Sequence, residues 1–182
     1  MIDSKASQHQ ELGLVQVYTG EGKGKTTAAL GLALRAAGWK YRTFIGQFMK
    51  GQDSGELHSI GLLSPYVTIE RYGAPTFVHA DEITPEDRAG VQRGLERIRQ
   101  VVGSREYDIV VLDEICVALH YHLTSLEAVL TLIRDRPPGV ELVLTGRWAP
   151  QEILDEANLV TEMVEVKHPY QQGISARRGI EW

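Results

Sequence analysis

Tyr18-Thr19-Gly20-Glu21-Gly22-Lys23-Gly24-Lys25-Thr26-Thr27-Ala28 decides the fold of this chain. It follows the apolar run 14–18 and opens the apolar-periodic stretch 25–37, so it reads as a strand, a glycine-rich turn and a helix. Gly20, Gly22 and Gly24 let the backbone turn sharply and aim successive N–H groups inward. With the helix N-terminus, those donors suit a polyphosphate. Lys25 is expected to neutralise phosphate charge, and the Thr26 hydroxyl to hold Mg2+. The usual loop of this type has a glycine where this chain has Thr19, so the glycine span starts one residue late, at Gly20. A shortened loop should cup phosphates differently. Glu21 puts a carboxylate inside an anion-binding loop, and is expected to point outward, toward ribose hydroxyls or a partner.

Outward from the loop, short apolar runs alternate with amphipathic stretches. Strands are expected at 14–18, 43–48, 67–72, 108–112, 140–145 and 159–166. Helices are expected at 25–37, closed by Gly38, and from Thr84-Pro85 to about residue 102, closed by Gly103. Further helices follow at 124–136, where Thr124-Ser125-Leu126-Glu127 has capping-box spacing, and at 150–157. Pro137-Pro138-Gly139 breaks the first of these. Strands alternating with helices predict a single α/β domain of the P-loop type, with a mostly parallel sheet of about six strands covered by helices on both faces. Residues 1–12 are polar and read as a flexible arm; residues 13–182 form the domain.

Val110-Val111-Leu112-Asp113-Glu114 is an apolar strand ending in two acids. In P-loop folds a strand-end acid holds Mg2+ across from the loop threonine. Neighbouring strand residues point oppositely, so one of Asp113 and Glu114 is expected to face the ligand and the other to brace the structure. Thr145-Gly146-Arg147 follows the next strand, and ligands in open α/β sheets sit outside the carboxyl ends of strands. Arg147 is thus placed to reach a triphosphate or a partner carboxylate. Gln47-Phe48-Met49-Lys50-Gly51, with Gly55-Glu56, ends the second strand on the same edge; Phe48 and Met49 read either as core or as pocket wall.

Composition narrows the function classes. Hydrophobic residues make up 43% of the 182 and charged residues 24%, enough to bury a real core. A net charge of −5 argues against coating nucleic acid. No run approaches the ~18 apolar residues of a membrane span, and the N-terminus has no signal-peptide pattern. A single cysteine, Cys116, cannot form an internal disulfide, which fits a cytoplasmic protein. It reads as a core thiol, and His120-Tyr121-His122 as a surface stretch rather than a metal pair.

These motifs, in this order and spacing, resemble the P-loop type of ATP:corrinoid adenosyltransferase. The resemblance covers residues 13–182. It is carried by Gly20-Glu21-Gly22-Lys23-Gly24-Lys25-Thr26-Thr27-Ala28-Ala29, Gln47-Phe48-Met49-Lys50-Gly51, Val111-Leu112-Asp113-Glu114 and Leu144-Thr145-Gly146-Arg147. Asn158-Leu159-Val160-Thr161-Glu162-Met163, Lys167-His168-Pro169-Tyr170 and Gly173-Ile174-Ser175-Ala176-Arg177-Arg178-Gly179-Ile180-Glu181 complete it. The shortened loop is itself a family mark.

The resemblance implies a RecA-like sheet, a homodimer, Mg2+ and ATP, a reduced corrinoid substrate and an electron-donating flavoprotein. It implies attack of Co(I) on the ribose C5′ of ATP, which lies in the loop in the reverse of the usual sense, with release of triphosphate. Carried over by position, Gly20, Glu21, Gly22, Lys23, Gly24, Lys25, Thr26 and Thr27 bind the triphosphate. Thr26 and Glu114, with Asp113 beside them, hold the metal, and Lys25, Glu114 and Arg147 carry catalysis. Counting back from Asp87 without gaps, the family's Phe-x-Trp pair falls on Phe77-Val78-His79. Those aromatics crowd the lower face of the corrinoid and displace its base ligand. Phe77 is kept, and His79 stands where the family has Trp. Two alternatives are a P-loop ATPase releasing ADP and phosphate, and a nucleotide-gated corrinoid carrier; their products separate them. The residues themselves agree with adenosyl transfer: cobalt is the nucleophile, so the protein's task is to align reactants and stabilise the leaving triphosphate.

Overall fold

The structure, a computed structural model, describes residues 12–73 and 83–182. Most of the expected N-terminal arm, and both Phe77 and His79, lie outside the described residues. The strands are β1 (Val15–Thr19), β2 (Thr43–Gln47), β3 (Val67–Arg71), β4 (Ile109–Asp113), β5 (Glu141–Thr145) and β6 (Leu159–Glu162). They form one parallel sheet in the order β3-β2-β4-β5-β1-β6. The helices are α1 (Lys25–Gly38), α2 (Gly55–Ser59), α3 (Pro85–Ser104), α4 (Ile115–His120), α5 (Leu126–Asp135) and α6 (Gln151–Glu156). This is the α/β, RecA-like P-loop architecture expected from the sequence.

Alternation along β4 sends Val110 and Leu112 to one face of the sheet and Ile109 and Val111 to the other. The second face is closed by α1, whose Ala29, Ala33 and Ala36 let the helix lie close against Ile45, Val111 and Val143. The first is closed by α3, α5 and α6, through Leu95, Ile98, Val129, Ile133 and Ile153. Fully burying side chains of this size contributes about 1.5–3 kcal/mol each. Because every strand is parallel, the carboxyl ends of β2, β4, β5 and β1 stand side by side at one edge. There β1, lying beyond β4 and β5 from β2, opens the crevice that ligands use in such sheets.

Thr84 caps α3 as expected, in a reciprocal pair with Asp87: Thr84 N donates to Asp87 Oδ2 (2.9 Å) and Asp87 N to Thr84 Oγ1 (3.2 Å). A cap of this kind contributes about 1 kcal/mol. Three expectations need correction. Gly103 does not end α3; the helix runs to Ser104, whose hydroxyl donates to the Val101 carbonyl, and Arg105 takes the left-handed cap position. The cap of α5 is Ser125, accepting from Ala128 N, not Thr124 acting with Glu127. Thr124 falls one residue out of phase, and its buried hydroxyl has no hydrogen-bond partner among the described residues. The last strand stops at Glu162 instead of 166 because the chain leaves the sheet there to run beside the glycine-rich loop, where Gly22 N donates to Met163 O (2.6 Å).

Candidate active site

The glycine-rich loop joins β1 to α1, as its sequence context requires. Gly20 has a φ of +92°, open to glycine and strained for other residues. Its glycines also serve packing: a Cβ on Gly20 would lie 2.5 Å from the Met163 carbonyl oxygen, and one on Gly22 2.7 Å from it. One N–H of the expected phosphate cradle, that of Gly22, is therefore already engaged by the segment after β6. Lys25 is buried, and its ammonium donates to the carbonyls of Gly20 (2.6 Å) and Gly22 (2.7 Å). Burial pushes its pKa below the ordinary lysine value, with the Glu114 carboxylate pulling the other way.

Across from the loop, β4 ends in Asp113, which is fully buried. Its carboxylate accepts from Thr26 Oγ1 (2.9 Å), Thr145 Oγ1 (2.7 Å) and Lys50 Nζ (2.8 Å), and more distantly from Gln47 Nε2 (3.3 Å). Lys50 Nζ also donates to Thr26 Oγ1 (2.6 Å). Lys50 reaches this point because its loop is tied to the end of β4, where Phe48 N donates to Asp113 O (2.8 Å). Burial works against the charge on Lys50, but Asp113 and Glu114 outweigh it and its pKa is raised.

Glu114 follows in a left-handed conformation (φ 65°), a strained position for a non-glycine residue. Its N–H donates to Thr145 Oγ1 (2.9 Å), so the strand end turns sharply. The same cavity is lined by Glu114, Lys25, Thr26 and Lys50. Burial, and then the neighbouring Asp113 charge, raise the Glu114 pKa. The two acids thus part company, although the strand ends at Asp113 and it is the left-handed turn at Glu114, not strand alternation, that separates them: Asp113 is gripped by the protein and Glu114 borders the cavity. Thr26, Asp113 and Glu114 together offer the hard oxygen ligands that Mg2+ prefers, and a lysine ammonium already rests on two of them.

The cavity has a volume of about 500 Å3. Arg147 stands at its rim and pairs with Glu21 (3.4 Å), so the carboxylate in the loop is turned toward a cation. On the far side the chain's C-terminal segment forms a roof, with Gly179, Ile180, Glu181 and Trp182 in the lining. Lys23 reaches this roof, donating to Ile180 O (2.9 Å) and Glu181 Oε1 (3.0 Å). Arg177 pairs with Glu181 from the roof itself (3.0 Å), and the Glu181 pKa is held down at about 2.

The structure brings Gly22, Lys23, Gly24, Lys25, Thr26, Thr27, Glu114 and Arg147 to one cavity, with Gly20 and Asp113 directly behind them and Glu21 exposed beside Arg147. Phe48 is core, with no exposure, and Met49 packs against the same core. Cys116 is buried and its thiol is pushed up to about 12 by that burial, so it is an inert core group. Lys50, Thr145 and the roof stand within motifs quoted from the sequence but were given no role there. Lys50 and Thr145 did carry a signal, each standing at or just past the end of a strand on the ligand edge.

A family model described as ATP:corrinoid adenosyltransferase BtuR/CobO/CobP matches residues 11–182 of this chain. A corrinoid adenosyltransferase of Escherichia coli (strain K12) is 33% identical over 183 residues, covering 100% of this chain and 92% of that protein. Corrinoid adenosyltransferase CobA of Salmonella typhimurium is 34% identical with the same coverage. A corrinoid adenosyltransferase of Pseudomonas aeruginosa is 31% identical, covering 100% of this chain and 90% of that protein.

Proposed function

The chain belongs to the ATP:corrinoid adenosyltransferase family, and from that premise we propose that it transfers the 5′-deoxyadenosyl group of ATP to the Co(I) of a reduced corrinoid and releases triphosphate. The observation that carries this reading is the cavity in which Lys25, Thr26, Glu114 and Arg147 converge. The cobalt electron pair forms the Co–C5′ bond, the C5′–O bond breaks, and the triphosphate leaves with the C5′–O bonding pair; cobalt is oxidised formally from Co(I) to Co(III). The nucleophile arrives with the substrate. The protein's part is to hold C5′ in line and stabilise charge on the leaving group.

Each residue then has a task. Lys25 and the loop N–H groups other than that of Gly22 bind the triphosphate, and Arg147 adds positive charge at the rim. Thr26 and Glu114 would hold Mg2+, with Asp113 beside them as a further oxygen. Mg2+, when bound, supplies neutralising charge to the phosphates. Phe77 and His79, outside the described residues, are assigned to the lower face of the corrinoid. A homodimer is supported by the apolar side chains that β6 and the segment after it leave exposed, among them Val160, Val164, Val166 and Tyr170. An electron-donating flavoprotein is the expected source of Co(I), in the cytoplasm.

The test is incubation with ATP, Mg2+ and chemically reduced cobalamin. Formation of the adenosyl product, seen by its visible spectrum, with one triphosphate per product, is the expected result. ADP and phosphate with no new cobalt–carbon bond would establish an ATPase instead, and ATP-dependent corrinoid binding without reaction a carrier.

A further inference from the structure

Lys50 is a residue of the site to which no role has yet been given. Its ammonium lies 2.6 Å from Thr26 Oγ1 and 2.8 Å from Asp113 Oδ2. These oxygens stand on either side of the place where the Mg2+ reading above requires a cation. One positive charge is thus already there, tethered to the loop after β2. That loop is fixed by Phe48 N on Asp113 O (2.8 Å), and Met49 takes a left-handed turn (φ 58°) that aims the next residue back at the cavity.

We propose that Lys50 is a tethered cation that holds the divalent-metal position between Thr26 and Asp113 and must leave it before Mg2+ can enter. The proposal rests on the reading of Thr26 and its neighbouring acids as the metal site. Two cations cannot share oxygens at these distances: the mutual repulsion is large wherever water is scarce. A divalent ion entering alone has to displace an ammonium from two charge-assisted hydrogen bonds. A nucleotide changes that balance. Lys50 lines the same cavity as Lys25 and Arg147, so phosphate oxygens there give its ammonium a new partner as it withdraws from Asp113. Glu56, which also lines the cavity, offers a second carboxylate on that side. Metal and nucleotide therefore enter together, and the nucleotide-free protein takes divalent metal poorly. In its resting place Lys50 also compensates the buried Asp113 charge, which keeps the floor of the site intact without metal.

The test is Mn2+ binding to nucleotide-free protein, followed by electron paramagnetic resonance or calorimetry. Lys50→Met should bind Mn2+ tighter than the wild type by roughly 10- to 100-fold, the factor that one or two charge-assisted hydrogen bonds represent. Lys25→Met is the control, because it removes an equal charge near the site that touches neither Thr26 nor Asp113. Equal tightening in both variants, or none in Lys50→Met, overturns the proposal, since only the general field would then be at work. Adding Thr26→Ala to Lys50→Met should abolish the gain. If it does not, the metal lies elsewhere and the underlying site assignment fails, which is a separate result from Lys50 failing to compete. Should Lys50→Met not fold, Lys50→Gln replaces it. The wild type gives an independent readout: labelling of the Lys50 amine by an amine-reactive reagent, measured by mass spectrometry, should rise as Mn2+ saturates. Unchanged labelling at saturating Mn2+ overturns the proposal as well.

Discussion

Asp113, just behind the floor of the cavity, is fully buried and gripped by two hydroxyls and an ammonium from three different elements. Glu181, in the roof, is held by Arg177 and Lys23, whose side chains are about half exposed. Charge in the floor is screened little and supports the fold; charge in the roof is screened by solvent and salt and supports only the position of the tail. The two regions border one space, yet damage to them should read out differently: floor substitutions should move stability and chemistry together, and roof substitutions should move ligand affinity alone.

The largest effect is expected where the floor meets the loop. Lys25→Ala and Thr26→Ala should each lower adenosylation by about 10²–10³-fold at saturating Mg-ATP, the usual cost of losing an electrostatic stabiliser of a leaving group. Near-normal turnover in both variants would remove the phosphate-loop assignment.

The two floor acids sharpen the comparison because they should move stability in opposite directions. Asp113→Asn loses charge-assisted hydrogen bonds at a buried site and leaves Lys50 without its counter-charge; about 1–3 kcal/mol of destabilisation is expected by denaturant unfolding. Glu114 has its pKa raised above 4.5 by burial and by Asp113. The native state therefore holds that proton more tightly than the unfolded chain does. The stabilisation from this group is complete below the unfolded value and is lost as pH rises through the folded one, so at neutral pH the ionised Glu114 is a cost. Glu114→Gln should melt higher than the wild type near pH 8, the gain shrinking toward pH 5, while metal-dependent turnover falls. A lower melting temperature at both pH values would show that the carboxylate is held, not merely tolerated. An unchanged Mg2+ dependence would transfer the metal role to Asp113.

What could be read from the sequence follows the same division. The loop and the β4 acids are contiguous in sequence and flanked by apolar runs, so their chemistry and their place on a strand end appear together. Lys50 and Thr145 needed the strand order: only when β2, β4 and β5 are known to be neighbours do their ends meet at Asp113. The roof was less legible still, since Lys23 and Ile180 are separated by 157 positions and no local pattern announces their meeting. Local rules also failed where two residues compete for one task. Thr124 and Ser125 are both good caps, and the phase of the α5 apolar face against the core chooses Ser125.

The smallest effect is expected in the roof. Glu181→Ala removes the partner of Lys23 and Arg177 while touching no strand and no core residue. The tail then loses a fastening and not its covalent path, so the cavity is covered for less of the time. Apparent affinity for ATP should weaken by roughly two- to fivefold, with maximal turnover unchanged and thermal melting indistinguishable from the wild type. The Glu181 carboxyl titrates at about 2 in the folded chain against 4.5 ordinarily, so its contribution is fully present above 4.5 and is lost only as pH falls through about 2. The affinity difference between variant and wild type should accordingly be the same at about pH 5 and pH 8, and should shrink as salt is raised. A variant that instead lost turnover as heavily as Lys25→Ala would place the roof in the chemistry. One that melted well below the wild type would make the tail part of the folding unit. Either result would erase the contrast with Asp113.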